Sequence, residues 1–444
     1  MHRNVRALAA GLVLAVLPIQ AAAAQAPTAT IDAQAHATPR RPPPADPGST
    51  TQPASCDQVR SHLRTLAANG PTQVACIEPV KPGPATPTLS GVRAGEVSPA
   101  SIQALPQWCI DHAFNGWWLT RTQACEIRQW VLTVIDRNTG AVTGEMGFFE
   151  KSLSYTNATL TDWAQQLEIA PFGTPWGTAV GSTVQGYATC AYGDCVLLSS
   201  SFPPQLPTTT SEASGEGFFR TTATAPGDVG SAFTRFTWFW TNPLWVGPST
   251  LGDATPPAVG CDNALPGNNT VPGCVFPNYI PTMVYSQNPA DPRSFPELAH
   301  HLSDALGSGL PGAYPNGSPL FRLTDATLIE KNRDTACKKS YFRPPGKTCD
   351  EYPFASTREG AYTGGGSPRT FDWCQIPKVP QGITGPDGYS VCMIDATQNT
   401  NGGLALLSFY RDNRVLSWDA FHVWTPFNYQ DPNLNPQPAP IPVP

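Results

Sequence analysis

The sequence predicts an α+β protein in two unequal parts, a disulfide-bonded β-rich N-terminal domain followed by a smaller mixed domain. Three observations carry this expectation. First, 49 Pro and 38 Gly make up about a fifth of the 444 residues, where average usage gives about an eighth. That suits short strands joined by turns and argues against long helices or coiled coils. Second, strand patterns recur from about Trp108 to Pro243. Trp130-Val-Leu-Thr-Val-Ile135 is followed by the turn Asp136-Arg-Asn-Thr-Gly140, and the chain resumes with Ala141-Val-Thr143 and Met146 to Phe149. Phe233-Thr-Arg-Phe-Thr-Trp-Phe-Trp240 alternates as a buried strand does. Third, a helical pattern appears only later. Pro296-Glu-Leu-Ala-His-His-Leu-Ser-Asp-Ala-Leu-Gly307 opens on Pro, ends on Gly and repeats Leu298, Leu302 and Leu306 at spacing four.

The chain is too long for one ordinary domain, and its punctuation divides it. His2, Arg3 and Arg6 precede an apolar run from Leu8 to Ile19, and Ala21 to Ala26 supplies small residues around a cleavage site, so residues 1–26 read as an export signal. Residues 27–54, rich in Pro, Ala and Thr, read as a linker. The β-rich domain is assigned to 55–245, with a short helix at Asp57 to Leu66. A Pro/Gly/Asn-rich linker follows at 246–274, then the mixed domain at 275–425 and a Pro-rich tail at 426–444 with no core to join. Within the mixed domain, strands are expected at Phe371 to Ile376 and Tyr389 to Ile394, a short helix at Gly402 to Tyr410 and a closing strand at Val415 to Val423.

No other stretch approaches ~18 consecutive apolar residues, so a released, secreted product without a membrane partner is expected. Twelve cysteines in an exported chain read as disulfides. Pairing of neighbours gives Cys56–Cys76, Cys109–Cys125, Cys190–Cys195, Cys261–Cys274, Cys337–Cys349 and Cys374–Cys392. With no CxxC and seven scattered histidines, zinc sites are disfavoured. Asn157, Asn268 and Asn316 begin glycosylation triplets. A net charge of −6 excludes a globally basic nucleic-acid coat and leaves room for a local basic patch.

Chemistry concentrates in the second domain. Asp350 and Glu351 are sequence neighbours, so on an extended segment they face opposite ways. They cannot form the facing pair of a glycosidase, but one can serve as a base while the other supports a metal or a backbone group. Asn399, after Gln398, offers an amide oxygen to a hard cation, Mg²⁺ or Mn²⁺. Lys331, Arg333, Lys338, Lys339, Arg343 and Lys347 stand against Asp334 alone just before Asp350, which suits a polyanionic substrate. His301 shares a helix face with Leu298 and Leu302 and reads first as a core histidine. No G-x-S-x-G, HExxH, P-loop or dinucleotide fingerprint occurs.

Pro296 to Leu306, Glu330-Lys-Asn-Arg333, Pro344-Pro-Gly-Lys-Thr-Cys-Asp-Glu-Tyr-Pro-Phe-Ala-Ser356 and Gln398-Asn-Thr-Asn-Gly-Gly403 together resemble the secreted NucA/NucB deoxyribonucleases, over about a third of the chain. The resemblance implies a compact ββα-metal (His-Me finger-like) nuclease domain in which an aspartate takes the place of the usual histidine base. It assigns the base to Asp350 and a metal position to Asn399, and makes Glu351 an adjacent acid whose role is catalytic, metal-supporting or structural. His301 and Arg333 match positions with structural or phosphate-binding roles. Gln398 and Thr400 stand where the family commonly has an acid and an arginine.

The expectation is a metal-dependent, largely sequence-independent endonuclease acting on DNA, with Arg333, Lys338, Lys339, Arg343, Lys347 and His301 as substrate contacts. The alternative is a secreted binding or adhesion protein whose nuclease-like domain is inactive and whose aromatic strands hold a cell-surface polymer or glycan. A third reading makes the β domain a delivery or regulatory module.

Overall fold

Long strands with alternating aromatic and small residues build the N-terminal region. The computed structural model describes residues 55–63, 71–80, 103–267, 271–291, 294–427 and 441–443, all within one compact unit. The expected signal peptide, the 27–54 linker and the Asn268 triplet lie outside these residues. Helix α1 (Cys56–His62) and strand β1 (Gln73–Pro79) come first, then α2 (Gln107–Asp111), β2 (Trp118–Leu119), β3 (Gln123–Asp136), β4 (Val142–Tyr155) and β5 (Asp162–Gly177). They are followed by β6 (Thr183–Gly193), β7 (Cys195–Ser201), β8 (Ala213–Thr221), β9 (Val229–Thr241), β10 (Gly252–Ala254), β11 (Val259–Asp262) and β12 (Gly273–Val275).

One sheet includes β2-β3-β4-β5-β8-β7 with β1 also on β3; the other is β10-β9-β11-β12 with β6 on β9. Their facing side chains form a shared core in which Trp130 and Phe148 meet Trp238 edge to face. Trp130, Phe148, Phe236, Trp238 and Trp240 are sheet core, while Trp176, Tyr187 and Tyr192 stay exposed.

The second region contains β13 (Thr282–Val284), α3 (Pro296–Gly307), β14 (Leu320–Phe321), α4 (Ala326–Ala336), β15 (Lys347–Tyr352), β16 (Pro368–Arg369), β17 (Tyr389–Asp395), α5 (Ala396–Asp412) and β18 (Ala420–Trp424). Strands β15-β17-β16 form one small sheet and β13-β18-β14 another.

Six disulfides join the neighbouring cysteines, Cys56–Cys76 through Cys374–Cys392. Among the described residues no helix is long and apolar enough to cross a membrane.

The structure corrects the sequence expectation in five places. The 246–274 segment, expected as a linker, supplies β10, β11 and β12 to the second sheet. Two of its glycines allow close packing: a Cβ on Gly252 would meet the Trp238 ring at 2.3 Å, and one on Gly273 the Ala158 carbonyl at 2.0 Å. The tail, expected to join no core, ends in β19 (Ile441–Pro442), which pairs with β2 and packs Ile441 and Val443 against the sandwich. The basic stretch, to which the sequence assigned no element, begins inside α4, which Asp325 caps. The segment 371–376 is a 3-10 turn at Asp372–Cys374 and not a strand. Finally, the helix expected from Gly402 starts at Ala396, because the Asp395 side chain accepts the N–H groups of Thr397 and Gln398.

Two arginines weld the regions together. Arg121 donates to the carbonyls of Asn413 (2.7 Å) and Arg414 (3.1 Å) at the end of α5 and to Tyr279 (2.9 Å). Arg414 is itself buried and forks onto Asp262, at 2.5 and 2.8 Å, with further bonds to the Ala158 and Val271 carbonyls.

Candidate active site

The site is organised by one antiparallel pair and three helices. In β15 and β17, Asp350 lies opposite Cys392 and Glu351 opposite Val391. Helices α3 and α5 pack with Tyr352, Cys392 and Ile394 through Leu298, Leu302, Leu406 and Tyr410. Helix α4 packs through Ala336 with Tyr389, Val391 and Met393. Because strand side chains alternate, Thr348 and Asp350 face α3 and α5, while Cys349 and Glu351 face α4.

Asp350 is buried, and its Oδ2 lies 2.6 Å from His301 Nδ1. An ionised carboxylate only accepts, so Nδ1 carries the proton. His301 has no exposed surface, and its Nε2 lies 2.9 Å from Ser390 Oγ. Ser390, on β17, thus holds the ring that holds the carboxylate, and the second Asp350 oxygen is left for solvent.

Asn399 sits in the first turn of α5. Its Nδ2 donates to Thr348 Oγ1 (3.1 Å) and to the Cys349 carbonyl (3.0 Å), immediately before Asp350. Both amide hydrogens are spent on β15, so the amide oxygen points away from the strand. Gln398 accepts from the Glu297 backbone N–H at 2.8 Å. The Glu297 carboxylate meets Lys347 Nζ at 2.5 Å and accepts from the Asp395 N–H at 2.7 Å. An acid is therefore present beside Asn399, delivered by α3 where α5 carries Gln398.

Glu351 lies across the sheet. Its Oε2 is 3.5 Å from Cys337 Sγ of the Cys337–Cys349 disulfide. Burial pushes its carboxyl up to about 8; the Asp350 charge adds to the rise, and Arg333 with the Ala355 N–H opposes it.

Among the described residues no three His, Cys, Asp or Glu side chains converge into a metal cage. A hard divalent ion that keeps most of its water needs only one or two protein oxygens plus substrate phosphate. The Asn399 amide oxygen, pinned through its nitrogen on the Asp350 side of β15, fits that demand.

Residues 321–424 match the family model of deoxyribonuclease NucA/NucB. This C-terminal region carries the NucA/NucB domain expected from the motif, and the matched span takes in Asp350, Glu351 and Asn399. It begins after α3, so His301 and Glu297 are brought to the NucA/NucB site from outside the match. No curated protein and no solved structure matches the chain.

Several expected contacts are redistributed. His301 cannot touch substrate, because it is enclosed and both ring nitrogens are engaged. Glu351 is turned away from Asn399, which separates it from the expected catalytic and metal roles. Exposed Arg333, Lys338 and Lys339 belong to the α4 side of the sheet, away from Asp350. Arg343 folds onto the carbonyls of Tyr341 (3.1 Å) and Cys337 (3.3 Å) and closes its own loop. Lys347 alone of the basic run reaches the Asn399 side, paired with Glu297.

Glu297 and Ser390 were not legible as site residues. The spacing of Glu297 and His301, four apart on α3, is the one sequence signal that joins them.

Proposed function

We propose that the protein is a secreted, metal-dependent endonuclease that hydrolyses DNA phosphodiester bonds largely without regard to sequence. The observation that carries the reading is the Asp350–His301 bond with Asn399 anchored on the same side of β15, inside a NucA/NucB match. The antiparallel pair β15 and β17, with short β16 between them in the chain and α5 directly after β17, supports a ββα-metal unit. Disulfides and the family match support export.

In this mechanism the free oxygen of Asp350 takes a proton from water while His301 fixes the other oxygen. The water oxygen forms a bond to phosphorus, and the bond from phosphorus to the leaving sugar oxygen breaks, with its electron pair going to that oxygen. Asn399 Oδ1 would hold Mg²⁺ or Mn²⁺, which when bound neutralises charge on the phosphate and leaving oxygen. Lys347 contributes positive charge on the same side, and the remaining phosphate contacts read no bases.

The test is plasmid degradation with and without chelator. Asp350→Ala should abolish it with the melting temperature near wild type; retained activity would remove the assignment. Asn399→Ala should raise the Mg²⁺ or Mn²⁺ concentration needed for half-maximal rate; an unchanged titration would remove the ligand role. A second reading, a binding protein with an inactive nuclease domain, is favoured by one feature, the neutral Gln398 whose oxygen is committed to Glu297. Wild-type protein that binds DNA yet never cuts it under any divalent ion would select that reading.

A further inference from the structure

Beside the proposed site stands an aromatic platform that the hydrolytic chemistry does not use. Trp373 lies flat against His300, with ring centroids 4.4 Å apart and planes within 1° of parallel. Its indole Nε1 donates to Asp304 Oδ2 at 2.8 Å, and His300 Nε2 lies 3.5 Å from the same oxygen. The indole is thus fixed on one face and at its edge, yet the residue remains 39% exposed. Among the described residues no second ring covers it. Large exposed apolar rings are ordinarily left loose; this one is held in a single orientation.

The platform is tied to Asp350 at both ends. His300 directly precedes His301, whose ring holds the Asp350 carboxylate. Trp373 directly precedes Cys374, whose disulfide partner Cys392 stands opposite Asp350 in the β15–β17 ladder. Glu297, His300 and Asp304 form one stripe along α3, beginning at Gln398, the neighbour of Asn399, and ending at Trp373. The seven residue steps from Glu297 to Asp304 advance about 10.5 Å along the axis, on the order of three nucleotide steps along a strand.

We infer that the open face of Trp373 stacks an unpaired base of the DNA strand held at Asp350, so that His300, Trp373 and the base form one continuous stack. The ligand class is single-stranded or locally opened DNA, since a paired base inside a duplex offers no free ring face. Stacking tolerates every base, which agrees with sequence-independent cutting. This inference rests on the proposed nuclease reading.

The experiment uses the full chain in chelator, so that nothing is cut. Binding is measured by anisotropy for a fluorescein-labelled oligothymidylate and for an abasic strand of equal length. Trp373→Ala should weaken oligothymidylate binding by about five- to a hundred-fold and leave abasic binding unchanged, while Trp373→Phe keeps most of the affinity and shows that the fold tolerates change there. Unaltered oligothymidylate affinity in Trp373→Ala, or an equal loss on the abasic strand, would overturn the stacking role. If wild type cuts DNA when metal is restored, only the stacking inference falls with that result. If wild type neither binds nor cuts DNA, the nuclease reading fails first and takes this inference with it.

Discussion

Replacing Glu351 with Gln separates the two neighbouring carboxylates by measurement. In the folded protein the Glu351 carboxyl is held up to about 8 from an ordinary value of 4.5, chiefly by burial and then by the Asp350 charge. A raised acid binds its proton more tightly folded than unfolded. Its stabilising contribution is therefore complete below about pH 4.5 and is withdrawn as pH climbs toward 8. Each pH unit in that window is worth roughly 1.4 kcal/mol, so the ceiling is roughly 5 kcal/mol. Partial solvent contact screens this to about 2 kcal/mol. Glutamine is neutral throughout, so the melting temperature of Glu351→Gln minus that of wild type should grow by roughly 2 °C between pH 4.5 and 8.5. Groups common to both proteins cancel in that difference. Because Glu351 faces α4, cleavage by Glu351→Gln at pH 7 should stay within a few-fold of wild type. Parallel pH curves would refute the buried, proton-retaining Glu351, and loss of metal-dependent cutting would refute its placement away from Asn399.

His301→Ala strands Asp350 Oδ2 and Ser390 Oγ without their partner; a loss of about 1–3 kcal/mol falling on the transition state lowers kcat roughly 5- to 150-fold, read in steady-state plasmid cleavage. Gly402→Ala places a Cβ 2.0 Å from Leu298 Cδ2 where α5 crosses α3; overpacking of about 1–3 kcal/mol should appear in thermal melts, and an unchanged melt would show that the crossing yields. Arg414→Met leaves Asp262 buried without its counter-charge and should cost about 3–5 kcal/mol in denaturant unfolding, with much of it recovered in the double variant Arg414→Met/Asp262→Leu.

What was legible in the sequence followed local physics. Period-two alternation through Trp130 to Ile135 and Phe233 to Trp240 revealed β3 and β9, and Pro296 with Leu298 and Leu302 revealed α3. Helix α4 was hidden because it buries only Asn332 and Ala336, so it has no apolar stripe to detect. Asn332 instead closes a turn, donating to the Ala355 carbonyl and accepting the Tyr362 and Thr363 N–H groups. At the site, Asp350 and Asn399 carried a motif. The role of His301 did not, because it depends on Ser390 and Asp350, far along the chain and brought together only by the β15–β17 register. The basic run misled for a related reason: sequence proximity to Asp350 says nothing about which face of β15 a side chain shares, and the alternation at Asp350 and Glu351 sends the α4 cations with Glu351.

The same geometry bears on what the sandwich does for the C-terminal region. Helix α5 spans 17 residues, about 25 Å; its first turn positions Asn399, and the Asn413 and Arg414 carbonyls just past its end are gripped by Arg121 from the sandwich. Just beyond it, Arg414 is buried and its charge is balanced by Asp262 of β11. Cutting the chain between the regions would leave Arg414 without that partner and the end of α5 without its donor, and breaking such a buried pair costs several kcal/mol. The sandwich is therefore part of the scaffold that sets the pitch of α5. A change in activity on removing it would report lost support for Asn399 before it reported any regulatory contact, whereas the paired Arg414 and Asp262 substitutions loosen the same joint with the chain intact.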